Sequence, residues 1–95
     1  MRLFILITGA SSGIGESACL MLLKHGYEVL AGVRSTADAE KLKAAGGVKL
    51  HPLIMDVTDE PGMLLARDQA ISLIGDGALV AIFNNAGIVV NGAVL

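Results

Sequence analysis

The feature that most constrains this chain is the segment Thr8-Gly9-Ala10-Ser11-Ser12-Gly13-Ile14-Gly15, which separates an apolar run, Leu3–Ile7, from an amphipathic stretch. A short continuous apolar run reads as a strand buried on both faces, the kind found in sheets covered by helices. Glycine lets the backbone turn sharply and approach a ligand with no Cβ in the way. The helix that follows begins with amide N–H groups lacking internal partners and with the positive end of its dipole, so an anion is stabilised there. Glycines at a strand-to-helix passage therefore point to a phosphate or pyrophosphate site. The spacing here is Gly-x-x-x-Gly-x-Gly, longer than the generic dinucleotide fingerprint, although Gly13-Ile14-Gly15-Glu16-Ser17-Ala18 also fits G-x-G-x-x-A. A P-loop is excluded, because Glu16-Ser17 stands where its Lys-Ser/Thr pair is required.

The rest of the chain alternates. Ile14, Ala18, Met21 and Leu22 recur at helical spacing, and Gly26 stands where a C-cap is expected. Glu28–Val33 reads as a second strand and Ala37–Ala45, with Asp38 near its start and Gly46-Gly47 at its end, as an exposed helix. Val48–Met55 is a third strand, kept short or at an edge by Pro52, which has no ladder donor. Asp59 can cap a further helix with Pro61 in its first turn and an apolar face of Leu64, Ile71 and Ile74. Asp76-Gly77 is a turn, and Leu79–Phe83 a fourth strand. Such alternation predicts right-handed βαβ units, an α/β class and a parallel sheet. Leu79–Phe83 is apolar throughout, as in a strand with neighbours on both sides, yet little chain follows it. Residues 1–95 are therefore expected to be the N-terminal part of a single domain, truncated after the fourth strand.

Composition excludes several classes. Hydrophobic residues make up 54% and charged residues 17%, too apolar for a disordered chain. A net charge of −2 argues against a nucleic-acid partner, as does the scarcity of stacking aromatics, 3% with no Trp. The mean hydropathy of +0.69 invites a search for membrane segments. The longest apolar runs, Ala18–Leu23 and Ala78–Phe83, fall far below the roughly 18 residues needed to span a bilayer. Met1-Arg2 followed by Leu3–Ile7 is shorter than a signal peptide's apolar region. The single cysteine, Cys19, reads as a small core residue; it permits no internal disulfide and suits a reducing, cytoplasmic location. His25 and His51 are not spaced as metal ligands, and no metal is expected.

Thr8–Gly15 resembles the TGxxxGIG signature of the short-chain dehydrogenase/reductase family. Asn84-Asn85-Ala86-Gly87 resembles that family's NNAG motif, and Leu53-Ile54-Met55-Asp56-Val57-Thr58 its L-x-x-D-V-T segment. The three occur in the family's order and cover nearly the whole chain. The resemblance implies a Rossmann-type, doubly wound parallel sheet of order 3-2-1-4. It also implies a nicotinamide cofactor held by Gly9, Ser11, Ser12, Gly13, Ile14 and Gly15, with Asp56 accepting from the adenine amino group and Val57 making a backbone contact. Asn84 and Ala86 would then lie along the ribose and pyrophosphate, and Gly87 would let the backbone pass close by. The family's chemistry needs a Ser and a Tyr with a Lys four residues later. The single Tyr here is Tyr27, and Ala31 stands four residues on, so no catalytic residue can be assigned.

The end of the second strand bears on which cofactor. Dinucleotide sites usually place an acid about 20 residues past the glycines to accept the ribose 2′-OH. Here the chain reads Ala31-Gly32-Val33-Arg34-Ser35, with no acid and a guanidinium suited to phosphate. NADP(H) is favoured over NAD(H), with Arg34 and Ser35 beside the 2′-phosphate. The expected function is that of an NADP-dependent oxidoreductase acting on a small-molecule alcohol or carbonyl, represented by its dinucleotide-binding half, with homo-oligomers allowed. The competing reading is a non-catalytic nucleotide-binding or regulatory module complete at 95 residues.

Overall fold

A computed structural model describes residues 1–11, 13–56 and 58–85. Its elements run β1 (Leu3–Thr8), α1 (Gly13–Lys24), β2 (Glu28–Val33), α2 (Thr36–Gly46), β3 (Leu50–Ile54), α3 (Glu60–Ile74) and β4 (Ala78–Asn84). The four strands form one sheet in the order β3-β2-β1-β4, and every pairing is parallel. The order and direction agree with the sequence reading. Helix ends follow local chemistry: the Ser35 side chain accepts from the Asp38 amide to start α2, and Asp59 accepts from the Gly62 amide to start α3. Gly26, at φ +89°, takes a left-handed conformation after α1, as the C-cap expectation required.

The sheet separates two cores. On one face Ile5, Ile7, Val29, Ala31 and Val33 pack with Cys19 and Leu22 of α1 and Leu42 of α2. On the other, Phe4, Leu30 and Leu53 meet Ala66, Ala70, Leu73 and Ile74 of α3. β2 is the centre of both, buried at all six positions. Pro52 sits on β3, at the sheet edge. The Met55 amide donates to the Val33 carbonyl at 2.7 Å, so alternation along the strand turns the Pro52 nitrogen away from β2.

Two helix faces differ from the expectation. α1 buries Gly15, Cys19 and Leu22, whereas Ile14 and Met21 are 77% and 54% exposed. In α3 the stripe is Ala66, Ala70, Leu73 and Ile74, leaving Leu64 and Ile71 exposed. The buried stripes combine small residues, Cys19, Ala66 and Ala70, with Leu22, Leu73 and Ile74, while Ile14, Met21, Leu64 and Ile71 lie off them. β4 is an edge strand, as the order 3-2-1-4 implies: among the described residues only β1 flanks it, and Leu79, Val80, Ile82 and Phe83 are exposed.

At the amino ends of the strands, a buried acid ties three of them together. Glu28, the first residue of β2, is 7% exposed. The Arg2 guanidinium donates to both its carboxylate oxygens, through Nε to Oε2 and through Nη2 to Oε1 at 2.8 Å. His51 Nε2 of β3 lies 2.9 Å from Oε1, and Arg2 also covers the Phe4 ring at 4.9 Å. Arg2's hydrogen bond, with a smaller contribution from His51, lowers the Glu28 carboxyl to about 2. A carboxylate held low in the fold stabilises it above its unfolded pKa and loses that contribution as pH falls. With Arg2 half exposed and screened, the contribution is about 2 kcal/mol. Glu28→Gln is therefore expected to lower stability near pH 7 by about that amount and to converge on wild type between about pH 4.5 and pH 2. Urea denaturation across this range checks it; parallel stability curves for the two proteins would contradict the assignment.

Candidate dinucleotide site

The carboxyl ends of the parallel strands open a crevice where β1 and β4 lie side by side, and the sheet order reverses about β1. Ligands bind open α/β sheets at such a switch point. The turn from β1 into α1 reaches over this end. Gly9 has φ +62°, a conformation that favours glycine. The Ala10 amide donates to the Gly32 carbonyl at 3.0 Å, fastening the turn to β2. Thr8 fastens it to β4: its hydroxyl donates to Asn84 Oδ1 at 2.8 Å and accepts from the Asn85 amide at 3.1 Å. The Asn85 side-chain amide donates in turn to the Gly9 carbonyl at 3.4 Å.

The two glycines at the start of α1 have opposite surroundings. A Cβ on Gly15 would collide with the Gly9 carbonyl and sit 2.9 Å from both Ala10 Cα and Asn85 Nδ2. A Cβ on Gly13 would meet nothing within 4 Å. Gly15 is thus required by packing of the helix against the turn, whereas Gly13 borders open space at the positive helix end. Beside them is a cleft of about 310 Å³ lined by Ile14, Gly15, Ile82, Phe83, Asn84, Asn85, Ile7 and Ala18. Amide and aliphatic groups dominate that lining, and it carries no carboxylate, imidazole, amine or phenol. The arrangement can bind and orient a ligand but supplies no proton-transfer group from these residues. Tyr27 precedes β2, at the opposite end of the sheet.

On the far side of β1, the ends of β2 and β3 bring Arg34, Ser35 and Asp56 to the same edge. Arg34 is exposed. The Ser35 hydroxyl already accepts from the Asp38 amide at 3.2 Å. Asp56 Oδ1 accepts from the Thr58 hydroxyl at 2.7 Å and the Thr58 amide at 3.0 Å. These two bonds, with a weaker contribution from the Arg34 charge, hold the Asp56 carboxyl below the usual carboxylate range.

Of the residues singled out in the sequence, Gly9, Ser11, Gly13, Ile14, Gly15, Arg34, Ser35, Asp56 and Asn84 all lie at this end of the sheet. Ser12, Val57, Ala86 and Gly87 lie outside the described residues. The sequence reading gave no individual role to Thr8, Gly32 or Asn85, which hold the turn in place. The visible signal was polar residues, Thr8 and Asn84-Asn85, closing two apolar strands that prove to be neighbours.

The model of the short chain dehydrogenase family matches residues 3–95. The uncharacterized oxidoreductase YbbO of Escherichia coli is 39% identical over 87 residues, covering 92% of this chain and 31% of that protein. The NADPH-dependent 3-dehydrocapnine reductase of Ornithobacterium rhinotracheale is 33% identical over 85 residues, 90% of this chain and 30% of that protein. A crystal structure of 3-ketoacyl-(acyl-carrier-protein) reductase from Brucella melitensis, complexed with NADH, superposes with a TM-score of 0.74 at 29% identity, covering 83% of this chain and 32% of that one. The chain thus spans less than a third of the length of each of these proteins.

The contrast between the two glycines is testable by urea denaturation. Gly15→Ala is expected to cost roughly 1–3 kcal/mol through overpacking against backbone. Gly13→Ala should be neutral or stabilising by up to about 1 kcal/mol, as alanine replaces glycine in a helix. Equal stability of the two variants would contradict the packing derived for this turn.

Proposed function

The chain belongs to the short-chain dehydrogenase family, and on that premise we propose that it is the dinucleotide-binding half of an NADP-dependent oxidoreductase acting on a small-molecule alcohol or carbonyl. Residues 1–95 form, in this reading, the N-terminal part of one domain whose catalytic groups lie elsewhere in the sequence of the whole enzyme. The observation that carries the reading is the open, side-chain-free start of α1 at Gly13, next to the cleft that Ile14 and Gly15 line, with Arg34 at the adjoining strand end and no acid between Ala31 and Arg34. The residues fit the cofactor. Amides at the start of α1 have their N–H groups free of intrahelical partners and the dipole behind them, which stabilises a pyrophosphate. Gly9, Ser11, Ser12, Gly13, Ile14 and Gly15 would hold it, and Gly15 lets helix and turn approach closely. Asp56 would accept from the adenine amino group, and the family resemblance assigns Val57, Asn84, Ala86 and Gly87 to the nucleotide as well.

When bound, the nicotinamide supplies the hydride. The chain's own contribution is binding and orientation: Thr8 and Asn85 fix the turn against β4, so the dinucleotide meets a preformed surface. Arg34, with Ser35 beside it, selects the 2′-phosphate by charge and by paired N–H donors. A relative named for its dependence on NADPH supports this choice, whereas a structural neighbour holds NADH; the preference stated here therefore rests on this chain's own Arg34. Cys19, a buried thiol raised to about 11 chiefly by burial, is unreactive in the fold and consistent with the reducing, cytoplasmic setting proposed.

A hydrogen bond to a charged group is worth roughly 1.5–3 kcal/mol. Arg34→Ala is accordingly expected to weaken NADP(H) about ten- to a hundredfold while leaving NAD(H) nearly unchanged. Calorimetric titration of both cofactors measures this. Equal weakening of the two would remove Arg34 from phosphate recognition and with it the preference for NADP(H).

A further inference from the structure

The ends of β2 and β3 also hold a negative charge whose effect on cofactor choice is separate from its contact with adenine. Val33 pairs with Ile54, and the Met55 amide donates to the Val33 carbonyl at 2.7 Å. This register brings Arg34, which follows Val33, and Asp56, which follows Met55, to one edge of the crevice. The Asp56 carboxylate is fixed there, because Oδ1 accepts from both the hydroxyl and the amide of Thr58. Oδ2 has no hydrogen-bond partner among the described residues. Arg34 and Asp56 are close enough for the cation to act on the carboxyl, yet among the described residues they form no ion pair. A 2′-phosphate drawn to Arg34 would therefore enter the field of a carboxylate that is pinned in place and not neutralised by a direct partner.

Building on the NADP reading above, we propose that Asp56 is a specificity-determining residue that opposes the 2′-phosphate and moderates the preference set by Arg34. The two effects of Asp56 are separable. Its contact with the adenine amino group acts alike on phosphorylated and unphosphorylated nucleotides, whereas its charge acts only on their ratio. Through-water repulsion between a carboxylate and a dianionic phosphate at the same strand edge is on the order of a two- to fivefold effect on that ratio.

Two nucleotides that differ by the 2′-phosphate, adenosine 2′,5′-bisphosphate and adenosine 5′-monophosphate, read that ratio directly. The chain is titrated with each by calorimetry at low salt as wild type, Asp56→Asn and Arg34→Ala. Asparagine retains an oxygen to accept from Thr58, so the turn is kept while the charge is lost. Asp56→Asn is expected to raise the affinity ratio in favour of the bisphosphate about two- to fivefold, and the gain should shrink at about 0.5 M salt. Arg34→Ala is expected to lower the same ratio. If Arg34→Ala lowers it but Asp56→Asn leaves it unchanged or lowers it, the role of Asp56 is overturned and the NADP reading stands. If Arg34→Ala leaves the ratio unchanged, or the wild-type chain binds neither nucleotide, the NADP reading falls and the role of Asp56 falls with it.

Discussion

The close approach of the first turn of α1 to the loop that precedes it is the constraint on which the rest of this structure depends. The space beside Gly15 is already filled by the Gly9 carbonyl, Ala10 and Asn85. With no side chain at that point, the helix begins close over the carboxyl end of β1, with the positive end of its dipole toward the crevice. The loop is then held from both sides, by Ala10 on the Gly32 carbonyl and by Thr8 with Asn85 on β4. An anion site on a mobile loop would have to order the loop on binding; here the hydrogen bonds have already done so. The family match, the parallel 3-2-1-4 sheet and this turn agree on a dinucleotide-binding architecture.

The two ends of the sheet divide the work. At the amino end, Glu28 with Arg2 and His51 joins the starts of β1, β2 and β3 by charge-assisted bonds around a buried carboxylate. That end has its polar groups paired within the protein and contributes to stability. At the carboxyl end the polar groups are spread along a crevice: helix amides, the Arg34 guanidinium, the Asp56 carboxylate and the amides of Asn84 and Asn85. Charges there are exposed or only partly matched, the arrangement suited to a charged ligand rather than to holding the strands. β2, buried along its whole length, links the two ends.

The elements were largely legible in the sequence because periodicity and punctuation set them. The limits of β2 and the Asp59 cap followed from local residue type. The faces of the helices were less so. Ile14 and Met21 in α1, and Leu64 and Ile71 in α3, are hydrophobic candidates, yet the cores take Cys19 and Leu22 from α1 and Ala66, Ala70, Leu73 and Ile74 from α3. Hydrophobicity marks candidates for burial, whereas the rotation of each helix about its axis, set by packing on the sheet, decides which of them are buried. The Arg2–Glu28–His51 cluster could not be read either, since its members are 26 and 23 residues apart from Glu28 and meet only through strand register. For the candidate site, the glycines and Arg34 were visible as motif and charge. Thr8, Gly32 and Asn85 could be given no individual role, because their contribution lies in hydrogen bonds between neighbouring strand ends that residue type alone does not reveal.

The central claim is that the turn into α1 and the ends of β1 and β2 form one dinucleotide site. The most direct test is an amide chemical-shift map of the isotope-labelled chain titrated with NADP⁺. The account predicts that the shifted amides cluster at Gly9, Gly13, Gly15, Arg34, Ser35 and Asp56, while Glu28 and His51, at the other end of the sheet, stay unmoved. A map centred on the Arg2–Glu28–His51 end, or the absence of any saturable shift at Gly13 and Gly15, would contradict it.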